Sequence, residues 1–260
     1  MRRRLAPVLA LALGLAACKS TGPKPVYESP AEEDYVTGVR YLDGHDFPDA
    51  QRLFERVRNK YPYSKYAALS ELRLADLRFA QDRYVEAAEA YALFVKLHPN
   101  HPDIDYAAWR GALSRWQDAP SDFFAFPPAY ERDLAQVVLA RDAVEGFLKK
   151  YPESKYVPDA QKLLARAKGV LAARDLYVAG FYRSRGKWQG VAYRLERILK
   201  DYPGSDQEPD VLWQLSEAYL KLDERFRAQQ ALQQLVVRHP ESKLRPQAEK
   251  RLADLRAPPR

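Results

Sequence analysis

The chain has 260 residues, 47% of them hydrophobic, which suffices for a sizeable core, and a formal charge of +7. Arg2, Arg3 and Arg4 supply three of those charges, and the remainder is spread along the chain. No concentrated basic stripe stands out, which argues against nucleic acid as a partner. No glycine-rich phosphate loop, nucleophile elbow or Cys–His pair is present, so neither an enzyme nor a bound cofactor is expected. Alternating β-branched runs are missing as well, which points to an all-α fold.

In chain order, the first element is a leader. Arg2-Arg3-Arg4 forms a basic start, and Leu5–Leu13 is an apolar run too short to span a bilayer comfortably. Leu15-Ala16-Ala17-Cys18 follows and resembles the lipobox of bacterial lipoproteins. That resemblance implies a signal peptide over 1–17, cleavage before Cys18, and acyl chains on Cys18, the only cysteine. Several acyl chains give stable anchoring, at ~0.8 kcal/mol per buried CH₂. Lys19 stands where an Asp would resemble an inner-membrane retention signal, so the outer membrane is favoured. Residues 18–30 hold three prolines, a glycine and few large apolar groups, and read as a flexible lipidated tether. Ser29-Pro30-Ala31-Glu32 then opens the first helix, with Ser as N-cap, Pro at N1 and Glu at N3.

From here a short punctuation mark keeps returning. It reads Tyr61-Pro62-Tyr63-Ser64, His98-Pro99-Asn100-His101, Tyr151-Pro152-Glu153-Ser154, Tyr202-Pro203-Gly204-Ser205 and His239-Pro240-Glu241-Ser242. Proline lacks the N–H a helix needs and restricts the residue before it, so each copy stops one helix. The Ser or Asn after it can accept from the first N–H groups of the next. Twelve, eight and five residues before each proline stand Ala50, Phe54 and Val57; Ala87, Tyr91 and Phe94; Ala140, Val144 and Phe147; Val191, Leu195 and Ile198; Ala228, Leu232 and Leu235. All are apolar at separations of four and three, one face of a helix. Twenty-four back lie the small residues Gly38, Ala75, Ala179 and Ser216, which let a preceding helix approach closely. Three residues after those come Tyr41, Arg78, Tyr182 and Tyr219. The pattern resembles the tetratricopeptide repeat (TPR) and implies a solenoid of about five helix hairpins over 31–256, with units near 31–63, 64–101, 102–153, 154–204 and 205–256.

The prolines are 37, 53, 51 and 37 residues apart. The first excess falls on Ala119–Pro128, which cannot be a regular helix. The second is 14 residues, close to four turns at roughly 3.6 residues each. It predicts one long helix from Tyr156 to about Arg185 opening unit four, its apolar face unrotated, with Ala160, Leu164, Ala167, Leu171, Val178 and Phe181 inward.

Lipobox, five repeats, a loop in the third unit and a long helix in the fourth together resemble the BamD family of the outer-membrane β-barrel assembly machine. The string Leu97–Tyr106, Arg110-Gly111-Ala112-Leu113, Phe123-Phe124 and Gly186–Leu195 fit that family, and the likeness spans about 15–245. Tyr63 and Ser64 open the second unit differently from many relatives. The resemblance implies a non-catalytic outer-membrane lipoprotein facing the periplasm. Its partners would be a POTRA domain of the barrel protein BamA, further Bam lipoproteins, and unfolded barrel proteins recognised by an aromatic-ended C-terminal β-signal. Pilus-secretin pilotins and cell-division coordinators share lipobox and repeats and remain the alternative, disfavoured by the long helix and by the string His98–Tyr106.

In TPR arrays the first helix of each pair lines the inner face. On that face the offsets place Tyr35, Val39 and Leu42 in unit one and Leu72, Asp76 and Phe79 in unit two. Apolar and aromatic groups with an isolated carboxylate suit an extended peptide with bulky side chains. Unit five offers Trp213, Glu217, Leu220 and Lys221 instead, a more charged set. Arg194 stands nine residues before its proline, where the other units have Leu53, Ala90, Ala143 and Ala231. Its guanidinium can reach a carboxylate while its stem lies on the core edge. The resemblance implies that Arg194 contacts BamA's membrane-proximal POTRA domain. His98 and His101, with Asp103 and Asp105, are read as turn structure and not as a metal site.

Overall fold

Proline punctuation becomes a stack of hairpins. The computed structural model describes residues 26–120 and 128–256. The leader, Cys18 and its acyl site, Phe123-Phe124 and the final tail lie outside the described residues. Eleven α-helices and one short 3-10 turn, Ala129–Glu131, occur among the described residues, with no strand. The helices are α1 Pro30–Asp43, α2 Phe47–Lys60, α3 Lys65–Ala80, α4 Tyr84–Leu97, α5 Ile104–Gln117 and α6 Ala135–Lys150. Then follow α7 Val157–Ser184, α8 Trp188–Asp201, α9 Glu208–Lys221, α10 Arg225–Arg238 and α11 Arg245–Arg256. Each helix packs chiefly on its neighbours in sequence, as in a solenoid. None of them is long and apolar enough to cross a membrane.

The punctuation works through the backbone. In every copy the N–H of the residue before proline donates to the carbonyl four back, closing the outgoing helix (Tyr61 to Val57, His98 to Phe94, Tyr151 to Phe147, Tyr202 to Ile198, His239 to Leu235). Two residues after proline, the N–H of Ser64, His101, Ser154, Ser205 or Ser242 donates back to the carbonyl of the residue before proline, at 3.0–3.3 Å. The hydroxyls of Ser64, Ser154 and Ser242 then accept from the N–H two residues on. In the second copy Nδ1 of His101 accepts from the Asp103 N–H at 3.1 Å, so the histidine replaces serine as a cap. The Ser205 hydroxyl makes no such bond.

All fifteen ruler positions are core, none more than 2% exposed. Gly38 and Ser216 are buried too, and Ala75 and Ala179 are fully so. A Cβ on Gly38 would stand 2.8 Å from Cε1 of Phe54, so glycine is what lets α1 lie against α2. Within the hairpins, the residue seventeen before proline carries positive φ in four units (His45, Asp82, Gly186 and Asp223, 58–65°). Nothing in the apolar pattern pointed to this left-handed corner. Asn, Asp and His tolerate it better than other non-glycine residues.

α7 is continuous over 28 residues. Its inward set differs from the expected one. Ala160, Leu163, Ala167, Leu171, Ala172, Asp175 and Ala179 are buried, Leu164 and Val178 are half-buried, and Phe181 is 52% exposed. An α-helix lags a seven-residue repeat by ~20° per heptad, so fourteen added residues turn the apolar stripe by ~40°. The insertion lengthens the helix and also rotates its face. The fifth unit is a hairpin, α9–α10, followed by a lone helix. Ala248 and Leu252 of α11 cover Leu212, Leu232 and Leu235. This closes the open end of the stack, as terminal caps do in repeat proteins.

The N-terminal end is tied by Glu32. Ser29 caps α1 through the Glu32 N–H at 3.2 Å, as the sequence implies. The Glu32 carboxylate accepts from the Glu28 N–H at 2.6 Å and from the Tyr66 hydroxyl at 2.8 Å, joining hairpin one to the next turn. Later junctions use the same device: Glu71 with His98 at 2.7 Å, and Asp105 with the Ser154 hydroxyl at 2.6 Å. Gly38→Val should lower stability by about 1–3 kcal/mol through this overpacking. Urea unfolding followed by circular dichroism checks it, and an unchanged midpoint would contradict the close approach of α1 and α2.

Candidate functional site

The six residues expected to line the inner face of units one and two do not all do so. Tyr35, Val39 and Leu42 are half-buried and pack on Ala50, Phe54, Leu74 and Leu77. Phe79 is half-buried between α3 and its neighbours. Leu72 is fully buried beside Ala75, Tyr91 and Phe94. It packs the hairpin and presents no surface to a peptide. Asp76 is 7% exposed and is already bonded within the protein. The offset rule gave both the right helix. A large apolar side chain turned toward the second helix is nonetheless core, and a short acid near that core needs internal donors.

Asp76 organises the polar part of the site. Its Oδ2 pairs with Nη1 of Arg73 at 2.5 Å. Its Oδ1 accepts from the hydroxyls of Tyr91 at 2.5 Å and Tyr106 at 2.8 Å. The Tyr91 hydroxyl in turn accepts from Nε of Arg110 at 3.2 Å, and the Tyr35 hydroxyl accepts from Nε of Arg73 at 3.3 Å. One carboxylate thus links α1, α3, α4 and α5. Burial, and then the charge of Asp76, pushes Tyr91 and Tyr106 well above the ordinary tyrosine range. Both stay neutral donors. The Arg110 guanidinium lies over the Phe79 ring, 3.7 Å from its centroid. Sequence reasoning named Asp76 and Phe79 but missed Arg73, Tyr91 as a polar group, Tyr106 and Arg110. The available signal was an acid at a position where unit one has Val39, which demands buried donors nearby.

Arg194 also has an internal partner. Its Nη1 donates to Oδ1 of Asp175 on α7 at 3.1 Å, while Nε of Arg197 stands 3.7 Å from Oδ2. The Asp175 side chain is 6% exposed and that of Arg194 26%. The carboxylate of Asp175 raises the Arg197 guanidinium above its ordinary value. Glu196 is taken by the Tyr219 hydroxyl at 2.5 Å and by Arg227 at 2.6 Å. His98 is engaged by Glu71, and His101 by the Asp103 N–H, both rings resting on Phe94. They serve the turn.

The model of the family YfiO, outer membrane lipoprotein, matches residues 27–232. The chain belongs to this family. Relatives carrying the name outer membrane protein assembly factor BamD include that of Rickettsia prowazekii, 24% identical over 243 residues and 94% of each chain. That of Haemophilus influenzae is 27% identical over 218 residues, 83% of this chain and 82% of the relative. That of Neisseria gonorrhoeae is 26% identical over 228 residues, 85% of each. Among solved structures, the TPR2AB domain of yeast Sti1 in its pHSP90 complex gives a TM-score of 0.43 at 13% identity, over 86% of this chain and 82% of that one. A thermophilic TPR protein of Thermus thermophilus gives 0.35 at 16% identity, over 86% and 98%. The YfiO match covers all five hairpins up to Leu232, so both the Asp76 network and the Asp175–Arg194 pair fall within the part this chain shares with the family.

Two stability measurements follow from these carboxylates. Asp76→Ala leaves Arg73 and two hydroxyls without their acceptor and should cost about 3–5 kcal/mol, with Asp76→Asn costing less. Arg194→Glu sets a second carboxylate beside Asp175 and should cost about 1–3 kcal/mol, largely recovered by Asp175→Asn in the same chain. Denaturant midpoints of the single and double variants read both. Full additivity of Arg194→Glu and Asp175→Asn would count against the pair.

Proposed function

We propose that this chain is a non-catalytic scaffold of outer membrane β-barrel assembly, held to the periplasmic face of the outer membrane by lipid on Cys18. In this reading it binds BamA through a POTRA domain, binds further lipoproteins of the same complex, and receives unfolded barrel proteins through their C-terminal β-signal. The observation that carries the reading is the family match over 27–232 together with the assembly-factor name borne by relatives over most of their length. The architecture supports it. A stack of hairpins held by nearest-neighbour packing offers a long face to other chains. The first two hairpins carry half-buried aromatic groups, Tyr35 and Phe79.

The BamA contact is assigned to the region of Arg194. Asp175 fixes the guanidinium from below, and a quarter of the side chain remains open. A held arginine loses less freedom on pairing with a partner's carboxylate. Arg194→Gln is the variant of choice, since Arg194→Glu also disturbs Asp175. The test is a crosslinking pull-down from outer membranes. BamA should co-purify with the native chain and be depleted at least several-fold with Arg194→Gln at unchanged thermal stability. Cys18→Ala should release the protein from membranes without detergent. Recovery of a secretin in place of a barrel-assembly protein would overturn the reading in favour of a pilotin.

A further inference from the structure

Unit two departs from the repeat at three positions. Six residues before its proline stands Leu93, where the other units have Arg56, Gly146, Arg197 and Gln234. Two before it stands Leu97, against Lys60, Lys150, Asp201 and Arg238. None of those eight is a large apolar residue. Twenty-one before it stands Arg78, against Tyr41, Tyr182 and Tyr219. Leu93 and Leu97 lie one turn apart on α4, the second helix of its hairpin, and are 54% and 55% exposed. A face in contact with water alone would carry polar residues there, as it does in the other units.

All three line one groove. It has a volume of about 160 Å³ where α2, α3 and α4 meet, and is lined by Arg58 of α2, Leu74 and Arg78 of α3, and Ala90, Leu93 and Leu97 of α4. Small-molecule sites take ~300–1,000 Å³, so this one has room for a single large side chain. Its polar part is cationic: Arg58 and Arg78 stand against one carboxylate, Glu71, which is engaged by His98 at 2.7 Å. Nε of Arg58 donates to the amide oxygen of Asn59 at 3.2 Å, and Nη1 of Arg78 to the Leu74 carbonyl at 3.1 Å, both neutral acceptors. The Arg78 charge also bears on Glu86, whose carboxylate is paired with Arg83. Each guanidinium keeps further N–H groups for an incoming carboxylate. Leu93 and Leu97, four apart, form a ridge, and a second helix packs its own i, i+4 ridge into the groove beside such a ridge.

We propose that this groove of unit two receives an acidic amphipathic helix of another lipoprotein of the complex. One large apolar side chain of that helix fills the space beside Leu74, Leu93 and Leu97, and a carboxylate one turn away pairs with Arg58 or Arg78. The inference rests on the reading above that the chain binds further lipoproteins, and gives that contact a surface. BamA is assigned to unit four, and the barrel chain is expected on the first helices of units one and two. The second-helix side of unit two is left for the third class of partner.

The test purifies the acylated full chain from outer membranes in mild detergent and identifies what accompanies it. Leu93→Arg with Leu97→Lys gives unit two the residue types of the other units. It should deplete an acylated partner about tenfold and leave BamA and the thermal midpoint as they are. Arg58→Glu should deplete the same partner several-fold, and Val237→Lys, at an exposed site of α10, should deplete nothing. A photoreactive aromatic in place of Leu97 should crosslink to that partner, within a helical segment bearing Asp or Glu. Unchanged recovery with the double variant overturns the proposal, as does a crosslink from position 97 to BamA or to a barrel chain, and either result leaves the wider reading standing. If no second lipoprotein accompanies the native chain, that reading falls and the inference with it. The crosslink is read on an otherwise native chain, so it decides the matter even where the double variant unfolds.

Discussion

Each hairpin hands over to the next through one backbone hydrogen bond, from the N–H two residues after proline to the carbonyl just before it. That bond closes in all five turns, whether the residue is serine or histidine. Proline ends one helix by lacking a donor, and the same bonded turn leads into the next. Register follows from this. Because every second helix ends at the same point relative to proline, the residues twelve, eight and five before it face the same way in each unit. Fifteen side chains are thereby core in all five units, with none more than 2% exposed. A turn that opened would rotate two helices against each other and expose parts of two core layers, not one.

The polar interior follows a second rule, written in acids. Asp76 holds Arg73 and two tyrosines, Asp175 holds Arg194 and Arg197, and Glu208, 1% exposed, lies 2.7 Å from Arg238 and takes the Gly204 N–H at 2.8 Å. Each acid sits on the first helix of a hairpin and reaches an element further along the chain. Such pairs add little net stability, since desolvation offsets much of the attraction, but they fix where arginine side chains point.

The lengthened α7 joins the two themes. It carries Asp175 inward and turns Tyr177 and Phe181, each 52% exposed, outward. Arg185 stacks on Phe181, 3.5 Å from the ring centroid. The same drift that moved Phe181 out of the core placed Asp175 where Arg194 could reach it. One insertion therefore altered both the packing and the polar pairing of unit four.

The repeated proline turns, the seam positions at fixed offsets, the small residues at Gly38, Ala75, Ala179 and Ser216, and the Ser29 cap were all legible in the amino-acid sequence. They are local or strictly periodic, and a helix of known pitch converts spacing directly into facing. The family likeness was legible for the same reason, since its strings sit at the turns. The partners of Asp76, Asp175 and Glu208 were not, nor was the burial of Leu72. Most of those depend on side chains 15 to 30 positions away in the chain meeting across a helix crossing, and on ~40° of accumulated helical drift that no single spacing reveals. Period and punctuation set the hairpins, and only their stacking decided which charges found a counter-ion.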